Sequence, residues 1–269
     1  MKKSRIVLAV LLAAALLLAG YAAFIRQPER PLPLQGKTVL LAGDSRSSTD
    51  YTFYREILEK KAGCMVLVEG ASGCLTAYNA SDEYFERLSQ PHDFSIWLVG
   101  GNDDGSPGTI GTFSADSPLA ALGEAVVEET DISADYTGTT FIQAVDHMMR
   151  KYKGLFYDGK NTGGVLPRMI FCTDLPQQRD SKESPWSLRE NWERKRLAIL
   201  ECCEKNGIPC LDLYRLCGFD MSFEPMFHAP TDTESNNGIY YMDGLHPNPR
   251  GIDLITNFEI EIMEKYLLE

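Results

Sequence analysis

The sequence predicts an α/β sandwich in which a parallel sheet carries helices on both faces. Short apolar runs recur along the chain, and helix-like stretches separate most of them. Polar loops, several of them rich in glycine, follow the apolar runs. Strands that alternate with helices favour parallel pairing, because each helix carries the chain back to the edge of the sheet where the previous strand began.

The apolar runs predict five strands, at Thr38–Ala42, Cys64–Val68, Phe94–Val99, Val165–Cys172 and Cys210–Leu213. Helix patterns occur at Tyr51–Lys61, Asp82–Leu88, Leu119–Glu129, Thr140–Tyr152, Trp186–Asn206 and Gly251–Leu268. Gly207 is suited to end the long fifth helix, since glycine adopts the left-handed conformation of a helix C-terminus. We therefore expect a mostly parallel five-stranded sheet, whose strand order the pattern leaves open.

Residues 1–26 form a separate segment, which we interpret as a signal peptide or an N-terminal membrane anchor. Lys2, Lys3 and Arg5 precede an uncharged run from Ile6 to Ile25. Twenty helical residues span about 30 Å, the hydrocarbon thickness of a bilayer. The basic residues place the amino terminus in the cytoplasm and the body of the protein outside it. Small residues near the end of the run suit a signal peptidase, whereas the length of the run favours a retained anchor.

The rest of the chain divides into a proline-rich linker at residues 27–36 and a domain at residues 37–269. The formal net charge is −12, and the first thirty residues carry five basic and one acidic side chain. The domain is therefore even more acidic than the whole chain. This charge argues against nucleic acid or an anionic membrane surface as a partner, so we expect membrane contact only through the N-terminal segment.

Seven cysteines are present, and an oxidising exterior would permit one or two disulfides. Cys64, Cys172 and Cys210 lie in or next to predicted strands and are typical of small core residues. No Cys-x-x-Cys pair occurs, which disfavours a structural zinc site. The acidic residues from Asp103 onwards lack the spacing of an EF-hand. We expect the protein to need no metal and no organic cofactor.

The first candidate site is Gly43-Asp44-Ser45, which ends the first predicted strand. Open α/β sheets bind ligands at the carboxyl ends of their strands, and Gly43 permits a tight exit there. A serine hydroxyl becomes a nucleophile only when a base lies within hydrogen-bond reach. Taken alone, the stretch is more typical of an ordinary loop with a helix-capping Ser or Asp.

One of the four histidines has a spacing that suits a general base. Asp243 precedes His246 by three residues, so its carboxylate can accept the Nδ1–H bond while Nε2 takes a proton from a serine. The structural alternative is that Asp243 caps the last helix, and the two roles are compatible. His92 before a strand, His147 in a helix pattern and His228 in a proline-containing loop fit surface or structural roles.

Two glycine-containing segments follow the second and third strands. They are Gly70-Ala71-Ser72-Gly73 and Gly100-Gly101-Asn102-Asp103. Glycine lets the backbone approach a ligand and point an N–H at a developing oxyanion, and a side-chain amide such as that of Asn102 can do the same. A plain βα turn and an Asx-turn are the structural alternatives. The loop that begins at Thr173 and Asp174 is expected to give binding contacts at most.

Together these motifs resemble the four signature blocks of the SGNH (GDSL-like) hydrolases, in that family's order and over residues 37–269. The resemblance implies a flavodoxin-like three-layer α/β/α sandwich. It also implies that Ser45 is the nucleophile, His246 the general base and Asp243 the carboxylate that orients it. The implied oxyanion donors are the backbone N–H groups of Ser45 and Gly73 and the side chain of Asn102.

Three positions depart from the pattern that is common in the family. Arg46 follows the serine where many members have a hydrophobic residue, Gly101 replaces a common Thr, and Glu69 stands where Asn often precedes the glycine. These departures bear on substrate preference, because every residue that the mechanism needs is present. No Gly-x-Ser-x-Gly elbow occurs, which disfavours the competing α/β-hydrolase fold.

The resemblance implies a serine esterase outside the cytoplasm that acts on short acyl esters, first of all O-acetyl groups on a carbohydrate or cell-envelope polymer. Lysophospholipase- or thioesterase-like cleavage of lipid esters and acyl transfer to a sugar hydroxyl are alternatives. A catalytically silent carbohydrate-binding protein is a further alternative, against which the intact motif residues argue. Aromatic residues in the loops at 103–118 and 219–241 suit sugar faces and loop packing equally; they are Phe113, Phe219, Phe223, Phe227, Tyr240 and Tyr241.

Overall fold

The computed structural model describes residues 31–50, 52–88, 90–157, 168–177, 185–220, 222–223, 226 and 238–268. The predicted signal peptide or anchor, residues 27–30 of the linker, Phe227 and His228 lie outside these residues, so the boundaries at 26 and 36 stay predictions. Within the described ranges, the structure has no helix of the length and apolarity that crossing a bilayer would require.

The described residues form one five-stranded sheet with the order β2-β1-β3-β4-β5, in which every neighbouring pair is parallel. The strands are β1 Thr38–Gly43, β2 Met65–Val68, β3 Phe94–Leu98, β4 Arg168–Cys172 and β5 Cys210–Leu211. All residues of β3 are buried, as expected of a strand that is covered on both faces. This order is the flavodoxin-like one, so the predicted fold class is confirmed.

Helices cover both faces of the sheet. They are α1 Thr52–Ala62, α2 Thr76–Asn79, α3 Asp82–Arg87, α4 Pro118–Ala121, α5 Phe141–Phe156, α6 Pro185–Asn206, α7 Leu213–Leu216 and α8 Pro249–Leu268. The apolar faces of α1 and α8 pack on one side of the sheet, and those of α5 and α6 pack on the other. Side chains alternate along β3, so that Ile96 enters the first of these cores and Trp97 the second.

The predicted helix Leu119–Glu129 is wrong beyond its first turn. The helix ends at Ala121, and Gly123 follows in the left-handed region with a φ of +88°. The chain then runs beside the loop after β3, where Val127 N–H donates to the Thr112 carbonyl at 2.8 Å. The loop supplies backbone partners that the apolar pattern of this segment does not reveal.

Two carboxylates hold the long loop that follows β3. Glu124, which is buried, accepts backbone N–H bonds from Ile110 at 3.1 Å and Gly111 at 2.9 Å. Glu201 of α6 accepts the backbone N–H of Phe113 at 2.7 Å. The predicted irregular loop is therefore tied to the body by charge-assisted hydrogen bonds rather than by regular structure.

None of the seven cysteines forms a disulfide, and all of them lie in the described part of the chain. Cys64 and Cys172 are buried in the core, as predicted, whereas Cys210 is only partly buried. Burial raises the pKa of the Cys64 thiol to about 11, so it is a protonated packing group at neutral pH.

Candidate active site

The exit of β1 is shaped by a close approach between two strands. Gly43 has a φ of +127°, and a Cβ at this position would overlap the carbonyl oxygen of Leu98 in β3. The next residue, Asp44, donates its backbone N–H to the same oxygen at 2.9 Å. A 3-10 turn, Ser45–Ser47, follows. Only glycine permits this approach, and the approach places Ser45 at the carboxyl edge of the sheet.

Ser45, His246 and Asp243 lie in hydrogen-bond contact. Ser45 Oγ is 2.9 Å from His246 Nε2, and His246 Nδ1 is 2.7 Å from Asp243 Oδ2. Because Asp243 accepts the Nδ1–H, Nε2 carries the lone pair that faces the serine hydroxyl. The structure thus brings together the three side chains that the sequence predicts as nucleophile, base and orienting carboxylate, in the arrangement of a Ser-His-Asp triad.

Asp243 is also fixed by the backbone of its own turn. Its Oδ1 accepts the N–H of His246 at 2.7 Å and that of Leu245 at 3.0 Å. Burial raises the pKa of this carboxyl, but the bonds and the charge of His246 outweigh burial and lower the pKa to about 2. The carboxylate is therefore ionised throughout the neutral pH range and holds the imidazole in one orientation.

Asn248 caps α8, and not Asp243, which was a candidate cap from the sequence alone. Asn248 Oδ1 accepts the backbone N–H groups of Arg250 and Gly251, both at 3.0 Å. Asp243 therefore does not cap the last helix, because its two oxygens already bind the turn of His246. The cap fixes the start of α8 directly after the histidine turn.

The two remaining predicted oxyanion donors lie on loops that are tied to each other. Asn102 Nδ2 donates to the carbonyl of Cys74 at 2.9 Å, which joins the loop after β3 to the segment after β2. Gly73 has a φ of +73°, and its N–H makes no hydrogen bond to another described residue. The segment after β2 is fastened in turn to the nucleophile turn, because Gly70 N–H donates to the Ser47 carbonyl at 3.1 Å.

Sequence reasoning did not predict that four charged side chains form a buried network behind Ser45. We call Asp44, Arg46, Asp174 and Lys195 the buried ion network; each is at most 3% exposed. Arg46 contacts Asp44 Oδ2 through Nη2 at 2.6 Å and Asp174 Oδ1 through Nη1 at 2.5 Å. Lys195 Nζ lies 2.8 Å from Asp174 Oδ2. Two acids and two bases balance each other in this network.

The buried ion network holds the backbone on which the candidate catalytic groups stand. Asp44 accepts the N–H of Arg46 and that of Gly101, each at 3.0 Å. Lys195, from α6, donates to the carbonyl of Gly100 at 2.6 Å. Charged side chains thus link the ends of β1, β3 and β4. Ser45 follows β1, and Asn102 comes directly after Gly101 in the loop that follows β3.

Burial and pairing shift the pKa values in this network in opposite directions. Burial raises the pKa of Asp44, but the charge and hydrogen bonds of Arg46 outweigh burial and lower it. Burial lowers the pKa of Lys195 to about 8, because its ion pair with Asp174 only partly offsets the loss of water. Both groups carry their charges at neutral pH.

The position of Arg46 corrects the interpretation of this departure from the family pattern. Its side chain is only 2% exposed, so it cannot contact a substrate and acts on the geometry of the loops instead. Asp174 is fully buried as well and pairs with Arg46 and Lys195. The sequence of α6 does contain a signal for the burial of Lys195. This residue lies between Trp192 and Ile199 at the spacing of one buried helix face.

The other described histidines have structural surroundings. His92 is buried, with Nδ1 2.8 Å from the Gln90 carbonyl and Nε2 2.5 Å from the Tyr152 hydroxyl. His147 is buried in α5, with Nδ1 2.8 Å from Thr130 Oγ1. Both fit the structural role that their sequence positions indicate.

Most of the described loop aromatics serve packing. Phe219 lies with its ring centroid 5.3 Å from those of Tyr240 and of Tyr241, and the Tyr241 hydroxyl donates to the Pro176 carbonyl at 2.5 Å. Lys205 Nζ lies 4.7 Å from the ring centroid of Phe113. These contacts favour the loop-packing interpretation over sugar binding, while Phe223 is 45% exposed.

Solved structures of low sequence identity share the fold. A protein from Lactobacillus plantarum is similar with a TM-score of 0.60 and 19% identity, over 86% of this chain and 98% of that one. A possible lipase from Chitinophaga pinensis gives a TM-score of 0.57 and 14% identity, over 87% and 100% of the two chains. A putative SGNH hydrolase from Slackia heliotrinireducens gives 0.51 and 14%, over 84% and 98%.

No family model and no curated protein matches the sequence. The likeness to the solved structures therefore rests on the backbone, and the motifs rest on the residues. The two agree, since the chain has the fold of a structure that is named a putative SGNH hydrolase, and its residues that resemble that family's blocks follow the strands of this sheet. At the level of the fold, the resemblance to the SGNH hydrolases is confirmed.

Proposed function

We propose that this protein is a serine esterase of the SGNH type, which cleaves carboxylic esters through an acyl-enzyme. The observation that carries the proposal is the 2.9 Å contact between Ser45 Oγ and His246 Nε2, with Asp243 bound to the opposite ring nitrogen. The contact lies next to the β1–β3 boundary, where the strand order reverses and where open α/β sheets place their ligand sites.

In the proposed reaction, Ser45 Oγ attacks the ester carbonyl carbon and its proton passes to His246 Nε2. The oxyanion that forms accepts hydrogen bonds from Ser45 N–H, Gly73 N–H and the Asn102 amide. Collapse of the tetrahedral intermediate expels the alcohol, which takes the proton from Nε2. A water molecule that gives its proton to His246 then attacks the acyl carbon, and the acid leaves as Ser45 recovers its proton. Asp243 stays ionised and stabilises the imidazolium in both halves.

The proposed substrates are short acyl esters on a carbohydrate or cell-envelope polymer outside the cytoplasm, of which O-acetyl groups are the simplest. The N-terminal segment of residues 1–26 supports the location. The acidic domain disfavours a strongly anionic polymer. Transfer of the acyl group to a sugar hydroxyl uses the same atoms, and it is distinguished by an acylated sugar among the products.

The nucleophile is tested by replacing Ser45 with Ala and measuring cleavage of p-nitrophenyl acetate. We expect a loss of kcat on the order of 10⁴-fold or more, as for other serine hydrolases that lack their nucleophile. The matched control is Ser47→Ala, because Ser47 lies in the same 3-10 turn and its buried hydroxyl has no partner among the described residues. Wild-type turnover in Ser45→Ala would refute the proposed function.

A further inference from the structure

A cavity of about 320 Å³ opens beside Asn102, on the side of α2 and α5. Its lining includes Leu75, Ala77, Asn102, Tyr136, Thr139 and Phe141. We propose that this cavity is the acyl-side subsite of the enzyme, and that it takes a neutral acyl group longer than acetyl. This inference rests on the proposed function and, among the short acyl esters proposed there, favours those with acyl groups longer than acetyl.

One side chain of the proposed oxyanion hole lines the cavity. Asn102, the proposed side-chain donor, is part of the lining. Leu75, also in the lining, lies two residues after Gly73, the proposed backbone donor. The bond from Asn102 to the Cys74 carbonyl fixes these two sides against each other. An acyl carbon whose oxygen is bound by the Asn102 amide would therefore lie beside the cavity.

The side of the reacting carbon on which the acyl substituent lies follows from the position of the general base. The tetrahedral carbon bears Ser45 Oγ, the oxyanion, the leaving oxygen and the acyl substituent. His246 must reach the leaving oxygen to protonate it, so the alcohol lies towards the turn at 243–246. No described residue of that turn lines the cavity. The cavity is thus left for the acyl substituent.

Several contacts fix Tyr136, the residue that forms the far wall of the cavity. The Tyr136 hydroxyl donates to the Thr140 carbonyl at 3.0 Å. A Cβ on Gly138 would lie 2.5 Å from the hydroxyl oxygen of Tyr136, so the ring lies directly over a residue without a side chain. The same ring packs against His147 in a T-shaped arrangement, with centroids 5.4 Å apart. These contacts hold Tyr136 in place in the lining, where we expect it to limit the length of a bound group.

The size of the cavity selects an acyl group longer than acetyl. Its volume is at the lower end of small-molecule sites, which span about 300–1,000 Å³. A water-sized group occupies about 30 Å³, so the methyl group of an acetyl ester would leave most of the space unfilled. A chain of roughly four to eight carbons fills it and meets the apolar side chains of Leu75, Ala77 and Phe141.

The charge of the lining selects a neutral group. Asp103 and Asp104 both line the cavity, and Asp104 is exposed. The Asp103 carboxylate accepts the Thr76 hydroxyl at 2.7 Å and its backbone N–H at 3.0 Å, so it faces the cavity as a fixed acceptor. An acyl chain that ends in a carboxylate, such as succinyl, would meet two acidic side chains without a cation in the described lining.

The test uses the full chain and p-nitrophenyl esters of acetate, butyrate, hexanoate and octanoate. We expect the wild-type kcat/KM to be at least about tenfold higher for hexanoate than for acetate. Ala77→Trp, at an exposed position of α2, fills the cavity and should lower kcat/KM for hexanoate at least about tenfold while changing that for acetate less than about twofold. Ala121→Trp, at an exposed end of α4 outside the lining, is the matched control and should behave as wild type.

A second variant and a charged substrate keep the inference open to refutation. Tyr136→Ala removes the far wall and should move the preference towards octanoate. The hemisuccinate ester should be cleaved more slowly than butyrate, and Asp104→Asn should narrow that difference. An Ala77→Trp protein with the wild-type chain-length profile would overturn the subsite and leave the esterase standing. A wild-type protein that cleaves none of these esters and whose Ser45 does not react with a fluorophosphonate would overturn both.

Discussion

Two buried regions of this protein contain carboxylates, and they differ in how the charge is compensated. Behind Ser45, the buried ion network balances Asp44 and Asp174 against Arg46 and Lys195. Between α1 and α8, Glu259 is fully buried, accepts a hydrogen bond from the Tyr54 hydroxyl, and has one carboxylate oxygen without a partner among the described residues. The buried ion network stays ionised at neutral pH, whereas the Glu259 carboxyl titrates close to neutral pH.

The pKa values express this difference. Burial raises the pKa of Glu259 to about 7, and the bond from Tyr54 and the charge of Lys61 offset burial only in part. Asp44 is buried just as deeply, yet its pKa is lowered because Arg46 lies against it. Depth of burial is thus common to both sites, and the presence of a paired cation decides the protonation state.

The comparison indicates why the charges lie where they do. A buried ion pair gives little net stability, because removing two charges from water costs about as much as their attraction returns. The network does more than pair charges, since its members bind the backbone of Gly100 and Gly101. We infer that it positions the loops of the candidate active site, whereas Glu259 only weakens the fold when it is ionised.

Replacing Arg46 should give the largest effect. Arg46→Leu leaves Asp44 without its cation, and we expect a loss of about 3–5 kcal/mol in the free energy of unfolding, measured by urea denaturation at pH 7. The control is Arg55→Leu, which removes an exposed i,i+4 pair with Glu59 and should change stability by less than about 0.5 kcal/mol. Equal effects of the two changes would show that the network is as weak as a surface pair.

Replacing Glu259 should stabilise the protein, and only at high pH. The pKa is about 7 in the folded state and 4.5 in the unfolded state, so between these values the folded state holds a proton that the unfolded state has released. Stability therefore falls as pH rises through this window, by about 3 kcal/mol in total. Glu259→Gln abolishes the fall, so it should match wild type at pH 4.5 and exceed it by about 3 kcal/mol at pH 8.

The pH series also contains its own control. Glu264 lies on the exposed face of the same helix, and Glu264→Gln should follow the wild-type stability curve at every pH. A Glu259→Gln protein whose advantage over wild type is the same at pH 4.5 and pH 8 would exclude a raised pKa at this position.

The smallest of the expected effects is the coupling within the network. Lys195→Met and Asp174→Asn each leave an opposite charge poorly compensated, whereas the double variant removes one charge of each sign. We expect the double variant to lose about 1–3 kcal/mol less than the sum of the two single losses, in a double-mutant cycle measured by urea denaturation. Strictly additive losses would mean that the 2.8 Å contact between the two side chains carries no interaction energy.

The Asp243–His246 pair could be predicted from sequence because the two residues lie within one turn, whereas the pairing of Ser45 with His246 was implied by the resemblance to the SGNH hydrolases. Asp243 and His246 meet within one turn, and Ser45 follows a strand whose apolar run is unmistakable. The presence of the strands could also be predicted from sequence, since a strand that is buried on both faces is apolar throughout. Their order depends on tertiary pairing, which no period in the sequence records.

The buried ion network could not be predicted in the same way. Arg46, Asp174 and Lys195 belong to three separate segments, and each is of a residue type that is usually exposed. The helix predicted at Leu119–Glu129 failed for a related reason, because the loop after β3 takes the backbone of Val127 as a partner. Both errors come from long-range polar contacts that override what the local pattern favours.

The close approach at Gly43 sets the scale of the whole catalytic edge. The only group between the Cα of Gly43 and the Leu98 carbonyl is a hydrogen atom, and any larger substituent must push β1 and β3 apart. Ser45 follows the first of these strands and Asn102 the second. A methyl group added at Gly43 would therefore change the spacing between the strands that carry the proposed nucleophile and the proposed oxyanion donor.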